Sequence, residues 1–282
     1  MPYINYNGKI FEDDTAIIKA NNRGLRYGDG IFETIKLKNN QLILADEHFA
    51  RLWKGMQALQ FEIPKLLRPE SLNDQIIQLA KKNKLTNARV RLTIFRGEGG
   101  IYDAKNNTPQ YIIEAIALPE SGDVLNMNGL QLTIFKDAKK SIDAFSNLKT
   151  NNYLPYFMGA MFAKKNHCND ALIVNCNEAV CDSTIANIFI IKNNCIYTPS
   201  LKQGCVAGVM RKWLISTLKA LSYKIEETCV TIEDVLNADE VFLCNSIYNI
   251  RWVASVNEKN YSSNTIQSIV LTLINKYPGI YC

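Results

Sequence analysis

The chain has 282 residues, 47% of them hydrophobic, enough to bury a core in one large or two medium domains. Its 32 basic and 27 acidic residues leave a net charge of +5, spread without the long basic runs of a nucleic-acid tail, so the excess reads as weak steering toward anionic small molecules. With only two histidines, His48 and His167, catalytic triads and polyhistidine metal sites are disfavoured, and lysine becomes the expected proton carrier.

The eight cysteines lie between Cys168 and Cys282 and include no Cys-x-x-Cys pair, so no metal site is expected and the thiols read as small buried apolar residues. No apolar run approaches the ~18 residues of a membrane span, and the opening MPYINYNGKIFEDD lacks the features of a signal peptide. The expectation is a cytoplasmic protein that binds neither membrane nor nucleic acid.

In chain order, short strands are predicted at Tyr3–Tyr6 and Lys9–Phe11, followed by a β-hairpin in GIFETIKLKNNQLILAD with Asn39-Asn40 at its turn. Helical spacing of Phe49, Leu52, Trp53, Met56 and Leu59 follows, with Asp46 as the expected N-cap, and a second helix fits Glu70–Lys82. Strands return at Ala88–Phe95 and Gln110–Leu118. Pro119, Ser121, Gly122 and Asp123 then break the pattern, which suggests a small N-terminal domain (1–119), a linker (120–124) and a larger C-terminal domain (125–282). In the second half a strand at Leu130–Phe135, a helix at Leu154–Lys165, strands at Ala171–Cys176 and Asn187–Lys192, a helix at Val209–Leu221, strands near Val241 and Trp252 and a closing helix complete a mixed α/β pattern. There is no Gly-x-Gly-x-x-Gly or Walker-type loop, so any phosphate must be held differently.

Lys149 lies among Asn147, Asn151, Asn152 and Tyr153 between apolar elements, a setting able to lower a lysine pKa and so to make it a nucleophile. Most lysines in such a protein are solvated surface charges, however, and this segment alone does not set Lys149 apart from them. Gly28-Asp29-Gly30 reads as a scaffold turn.

Five segments in order, RGLRYGDGIFET (23–34), EHFARL (47–52), LKTNNYL (148–154), DSTIANIF (182–189) and GVMR (208–211), resemble the class-IV aminotransferase family. That family includes branched-chain and D-amino-acid aminotransferases and 4-amino-4-deoxychorismate lyase, and the resemblance covers nearly the whole chain. It implies an α/β (α+β) protein of fold type IV, whose larger domain holds a mixed, barrel-like sheet. It also implies a homodimer whose partner loop completes each pocket, and pyridoxal 5'-phosphate (PLP) as cofactor. By the same resemblance Lys149 carries PLP as a Schiff base and moves the proton at the substrate α-carbon, while Arg51 and the backbone of Gly208, Val209 and Met210 hold the phosphate. Ser246 adds a phosphate contact, and Tyr153 bonds the cofactor's phenolic oxygen. Asp182 stands where the family normally has a glutamate on the pyridine nitrogen, one methylene longer; Glu178 is the fallback.

For the reaction, Asn245-Ser246 and Met210 resemble the lyase, which releases pyruvate and 4-aminobenzoate, a folate precursor. KTNNYL resembles the aminotransferases instead, and RGEGGIY resembles a lyase segment with Ile101 in place of an arginine. An amino-acid-like substrate with two carboxylates would need cationic or amide donors, and Arg96 and Arg251, with Asn245 assisting, are the candidates. An amino-acid aminotransferase is the alternative. A PLP-fold protein without activity is a third reading, resting on Asp182 and Ile101.

Overall fold

The computed structural model describes residues 2–118 and 125–281. The chain divides into two compact units, one of residues 1–119 with 148–152 and one of 120–147 with 153–282. The expected linker at 120–124 lies outside the described residues. At one place the division departs from the expected domains: residues 148–152, assigned to the C-terminal domain, belong to the first unit. Backbone pairing is the reason. Phe32 N–H donates to Lys149 O (2.9 Å), Asn151 N–H donates to Gly30 O (2.9 Å), and Ile31 bridges Thr150.

The first unit contains β1 (Tyr3–Tyr6), β2 (Lys9–Glu12), α1 (Arg23–Tyr27), β3 (Gly30–Lys38), β4 (Gln41–Leu42), α2 (Ala45–Ala58), α3 (Pro69–Lys82), β5 (Ala88–Arg96) and β6 (Pro109–Ala117). The strands form a sheet in the order β2-β1-β6-β5-β3-β4, antiparallel throughout. Asn39 and Asn40 both have positive φ (48° and 61°), as a two-residue turn matched to strand twist requires. Asp46 is not the N-cap of α2: Leu44, in the left-handed region at φ 54°, occupies that position, and Asp46 and Glu47 sit in the first turn, where they complement the helix dipole. Phe49, Leu52 and Met56 from α2 and Leu72, Ile76 and Leu79 from α3 are buried in one core with Ile35, Leu37, Val90, Leu92 and Ile94 of the sheet.

The second unit contains β7 (Leu130–Lys140), α4 (Leu154–Lys165), β8 (Asp170–Asn175), β9 (Ala179–Ser183), β10 (Asn187–Lys192), β11 (Cys195–Pro199), α5 (Val209–Ala220), β12 (Ile225–Thr228), β13 (Val230–Thr231) and α6 (Ile232–Leu236). It continues with β14 (Glu240–Asn245), β15 (Asn249–Val256), β16 (Lys259–Asn260), α7 (Asn264–Lys276) and α8 (Pro278–Tyr281). Its strands make a mixed, barrel-like sheet in the order β12-β11-β10-β14-β15-β7-β8-β9-β13, with β16 paired to β15. β7 runs five residues beyond the predicted strand, through a register shift between Phe135 and Lys140, and so brings Lys140 beside Asn175. No helix among the described residues is long and apolar enough to cross a membrane. The seven described cysteines are free thiols: Cys181, Cys195, Cys205 and Cys244 are buried, Cys168 is half-buried, and Cys176 and Cys229 are exposed.

Candidate active site

In the first unit the structure brings Lys149 and Arg51 into one electrostatic neighbourhood. The Lys149 Nζ sits 4.5 Å from the centroid of the Phe32 ring. On the opposite face of β3, since side chains alternate along a strand, Glu33 points into the interior toward α2. There its Oε1 accepts from Arg51 Nε (2.7 Å), and its Oε2 accepts from Arg51 Nη2 and from His48 Nδ1 (2.7 Å). Burial alone would push the Glu33 carboxyl up, but the Arg51 guanidinium and the His48 hydrogen bond outweigh it and hold the group at about 2. His48, wholly buried, is pushed down by desolvation, with Arg51 and Lys149 adding to the effect and Glu33 opposing it. An ionised Glu33 can only accept, so the neutral imidazole carries its proton on Nδ1, and its buried Nε2 is an acceptor without a partner among the described residues. Arg51 and His48 reach Glu33 together because they lie three residues apart on α2.

In the second unit the focus is Asp182, 2% exposed on the wholly buried strand β9. Its Oδ2 accepts from Tyr156 Oη (2.8 Å), Val206 N–H (3.0 Å) and Lys140 Nζ (3.2 Å), and its Oδ1 accepts from Asn187 Nδ2 (2.8 Å). Tyr156 is pushed well up by burial, reinforced by the Asp182 charge, which keeps the phenol a donor. Asn187 Nδ2 also donates to Val206 O (2.9 Å), so the carboxylate is tied on both edges to the loop that leads into α5. Asn147 fixes the same loop, donating to Leu201 O (2.9 Å) and Cys205 O (2.6 Å) and accepting from Ala207 N–H (3.0 Å). Gly208 caps α5 without a side-chain bond, leaving the Val209, Met210 and Arg211 N–H groups without intrahelical carbonyls at the positive end of the helix. A Cβ at Gly208 would stand 2.0 Å from Asn187 Oδ1, so glycine lets the loop and Asn187 meet.

Tyr153 belongs to this second unit; its hydroxyl donates to Thr184 O (2.9 Å) and its ring stacks on Tyr156 at 4.5 Å. Bonding a cofactor's phenolic oxygen would require that proton to leave Thr184. Asn245 Oδ1 accepts from Ile247 and Tyr248 N–H (3.0 and 2.9 Å), and its Nδ2 donates to Ile185 O (3.3 Å), so it shapes the turn that carries Ser246. Arg251 lies 5.0 Å from the Tyr248 ring centroid and lines, with Asn169, Asp170 and Asn245, a small open cleft within this unit. Arg96, in the first unit, is drawn into the scaffold: Nε donates to Asp29 (3.1 Å), Nη1 to Asn107 and Nη2 to Leu59 O (2.6 Å), with the guanidinium over Phe61. Arg23 Nε also donates to Asp29 (2.8 Å), which explains the Gly28-Asp29-Gly30 turn as a framework element. Glu178 is exposed and paired with Lys139, apart from the Asp182 cluster.

Four residues escaped the sequence reading: Glu33, Lys140, Tyr156 and Asn187. A charged residue inside the otherwise apolar run GIFETI was a usable signal for Glu33, and Asn187 lay within a motif already singled out. Nothing local marked Lys140, which looked like one of several lysines in KDAKK.

Residues 30–256 match the amino-transferase class IV family. A protein of Methanocaldococcus jannaschii provisionally named a branched-chain-amino-acid aminotransferase is 27% identical over 97% of this chain and 94% of its own length. The aminodeoxychorismate lyase of Bacillus subtilis is 29% identical over 92% of this chain and 88% of its own. The branched-chain amino acid aminotransferase structure from Escherichia coli superposes with a TM-score of 0.87 at 21% identity, covering 99% of this chain and 94% of that one, which shows a common fold. D-alanine aminotransferases are also similar over comparable lengths. The chain is therefore a class IV aminotransferase family member, an enzyme of a group that uses pyridoxal phosphate.

Proposed function

We propose that this protein is a PLP-dependent 4-amino-4-deoxychorismate lyase, releasing pyruvate and 4-aminobenzoate. The residues present fit the cofactor: a lysine amine beside an aromatic ring, a buried carboxylate for the pyridine nitrogen and an uncapped helix N-terminus for the phosphate. When bound, PLP supplies an electron sink for charge developing at the substrate α-carbon. Lys149 carries it and moves the α-proton. Arg51, oriented by Glu33, and the N–H groups of Val209 and Met210 after Gly208 bind the phosphate, and Ser246 adds a hydroxyl. Asp182 takes the pyridine nitrogen, while Tyr153 holds the Thr184 carbonyl and stacks on Tyr156.

The observation that carries the lyase reading is the Arg251 cleft. The substrate has two carboxylates, and the cleft offers a guanidinium beside two asparagine side chains. Asp170 borders it, with its carboxyl pushed up by burial and its Oδ1 accepting from the Thr184 hydroxyl (2.6 Å). Met210 agrees: its side chain is 1% exposed, so this position offers an anion a backbone N–H and no hydroxyl. The KTNNYL segment and the relatives named aminotransferases support the alternative, an amino-acid aminotransferase acting on branched-chain or D-amino acids.

The protein acts in the cytoplasm as a homodimer. Support for the dimer comes from α4, where Leu154, Phe157, Met158 and Met161 form an exposed apolar stripe at helical spacing. Tyr102, 97% exposed beside Ile101 in the RGEGGIY segment, is suited to reach a second copy.

The test is product stoichiometry with aminodeoxychorismate as sole substrate. The lyase gives one 4-aminobenzoate and one pyruvate per substrate over many turnovers without a keto acid. Turnover that requires a keto acid acceptor, with L-leucine or D-alanine as donor, would instead establish the aminotransferase.

A further inference from the structure

Asp182 is ringed by donors, but unevenly. Oδ2 accepts three of them, from Lys140, Tyr156 and Val206, while among the described residues Oδ1 accepts only Asn187. A carboxylate offers about four lone-pair positions, two per oxygen, so Oδ1 is the atom with room for another donor. The buried thiols around the carboxylate are no source of charge: desolvation pushes Cys181 and Cys244 up and holds Cys205 at about 12. Tyr156 is likewise held neutral. Among the groups bonded to Asp182, the one formal cation is therefore Lys140, placed by the register shift at the end of β7, with its side chain only 10% exposed and its Nζ 5.2 Å from the Tyr156 ring centroid. Such a lysine sits in a low-dielectric setting where its field is poorly screened.

We infer that Lys140 is a positioning residue that sets how firmly the ring nitrogen of bound PLP holds its proton. Its ammonium fixes Oδ2 together with Tyr156 and Val206, leaves Oδ1 for the pyridine nitrogen, and offsets part of the carboxylate charge that would stabilise a protonated ring. The inference rests on the assignment of Asp182 to the pyridine nitrogen. The lysine that carries the cofactor and the lysine that tunes it are thus different residues, Lys149 and Lys140.

The experiment uses holoenzyme loaded with PLP labelled with ¹⁵N in the ring, and follows the ring-nitrogen resonance from pH 6 to 10 in wild type, Lys140→Met, Lys140→Arg and Asp182→Asn. Thermal melts accompany each variant, and Lys140→Arg, which keeps the charge, guards against misreading a packing defect. In Lys140→Met the ring nitrogen is expected to bind its proton on the order of tenfold more tightly, a rise of about one unit in the midpoint. Lys140→Arg should stay near wild type, and Asp182→Asn should weaken proton binding. A midpoint unchanged in Lys140→Met while Asp182→Asn lowers it, or a ring protonated throughout the range in both wild type and Lys140→Met, would overturn the inference. No change in Asp182→Asn would instead overturn the Asp182 assignment beneath it.

Discussion

The two units each bury a carboxylate next to a cation, but the two acids are built for different work. In the first unit Glu33 is spent inside the protein: both oxygens go to Arg51 and His48, and the group serves by holding a guanidinium in place. In the second unit Asp182 collects donors from β7, α4, β10 and the loop before α5, and keeps one oxygen with a single bond. One strand and one helix assemble the first cluster; four elements converge on the second. Each acid keeps one oxygen with a single bond, Glu33 Oε1 to Arg51 and Asp182 Oδ1 to Asn187. What differs is that both partners of Glu33 come from one helix, whereas those of Asp182 come from three elements and a loop, so the first carboxylate orients a guanidinium and the second is held in place by its surroundings.

The largest effect that separates these regions is chemical. Lys149→Ala is expected to lower turnover on the order of 10³-fold or more while leaving the melting temperature close to wild type, measured by product assay and thermal scan. Glu33→Ala should do the reverse in kind, destabilising the fold by about 3–5 kcal/mol, because it leaves a guanidinium and a buried imidazole without their acceptor; denaturant midpoints check this.

A subtler probe of the same residue is acid. Glu33 is held at about 2 against an ordinary 4.5, so its contribution is complete above about pH 4.5 and is lost as pH falls toward 2. The wild type should therefore lose on the order of 3 kcal/mol more stability over that interval than Glu33→Gln, read from urea midpoints at each pH. Smaller again is Gly208→Ala. Its methyl group displaces Asn187 and loosens Asp182, and should cost about 2 kcal/mol of stability together with measurable loss of PLP affinity by fluorescence titration.

The contrast also explains which parts could be read in advance. Elements with a clean period, such as the α2 spacing from Phe49 to Met56 or the alternation along β5, were legible because one face meets a core. β9 and β11 were not, since AVCDS and CIYTP are short and lie between turns; every residue of β9 is buried, so no alternation marks it. The C-terminal stretch of β7 was invisible for another reason: KDAKK looks solvated, and only long-range pairing with β8 turns Lys140 inward. The same gap separates the two arginines offered for substrate. Arg96 and Arg251 look alike in sequence, and only Asp29, Asn107 and the Leu59 carbonyl, gathered from distant parts of the chain, commit the former to the scaffold.

The central claim, that Lys149 rather than the buried Lys140 carries the cofactor, is tested most directly by reducing the holoenzyme with borohydride and mapping the modified peptide by mass spectrometry. The account expects one pyridoxyl-phosphate adduct per chain, on Lys149; an adduct on Lys140, or on another lysine with Lys149 unmodified, would contradict it.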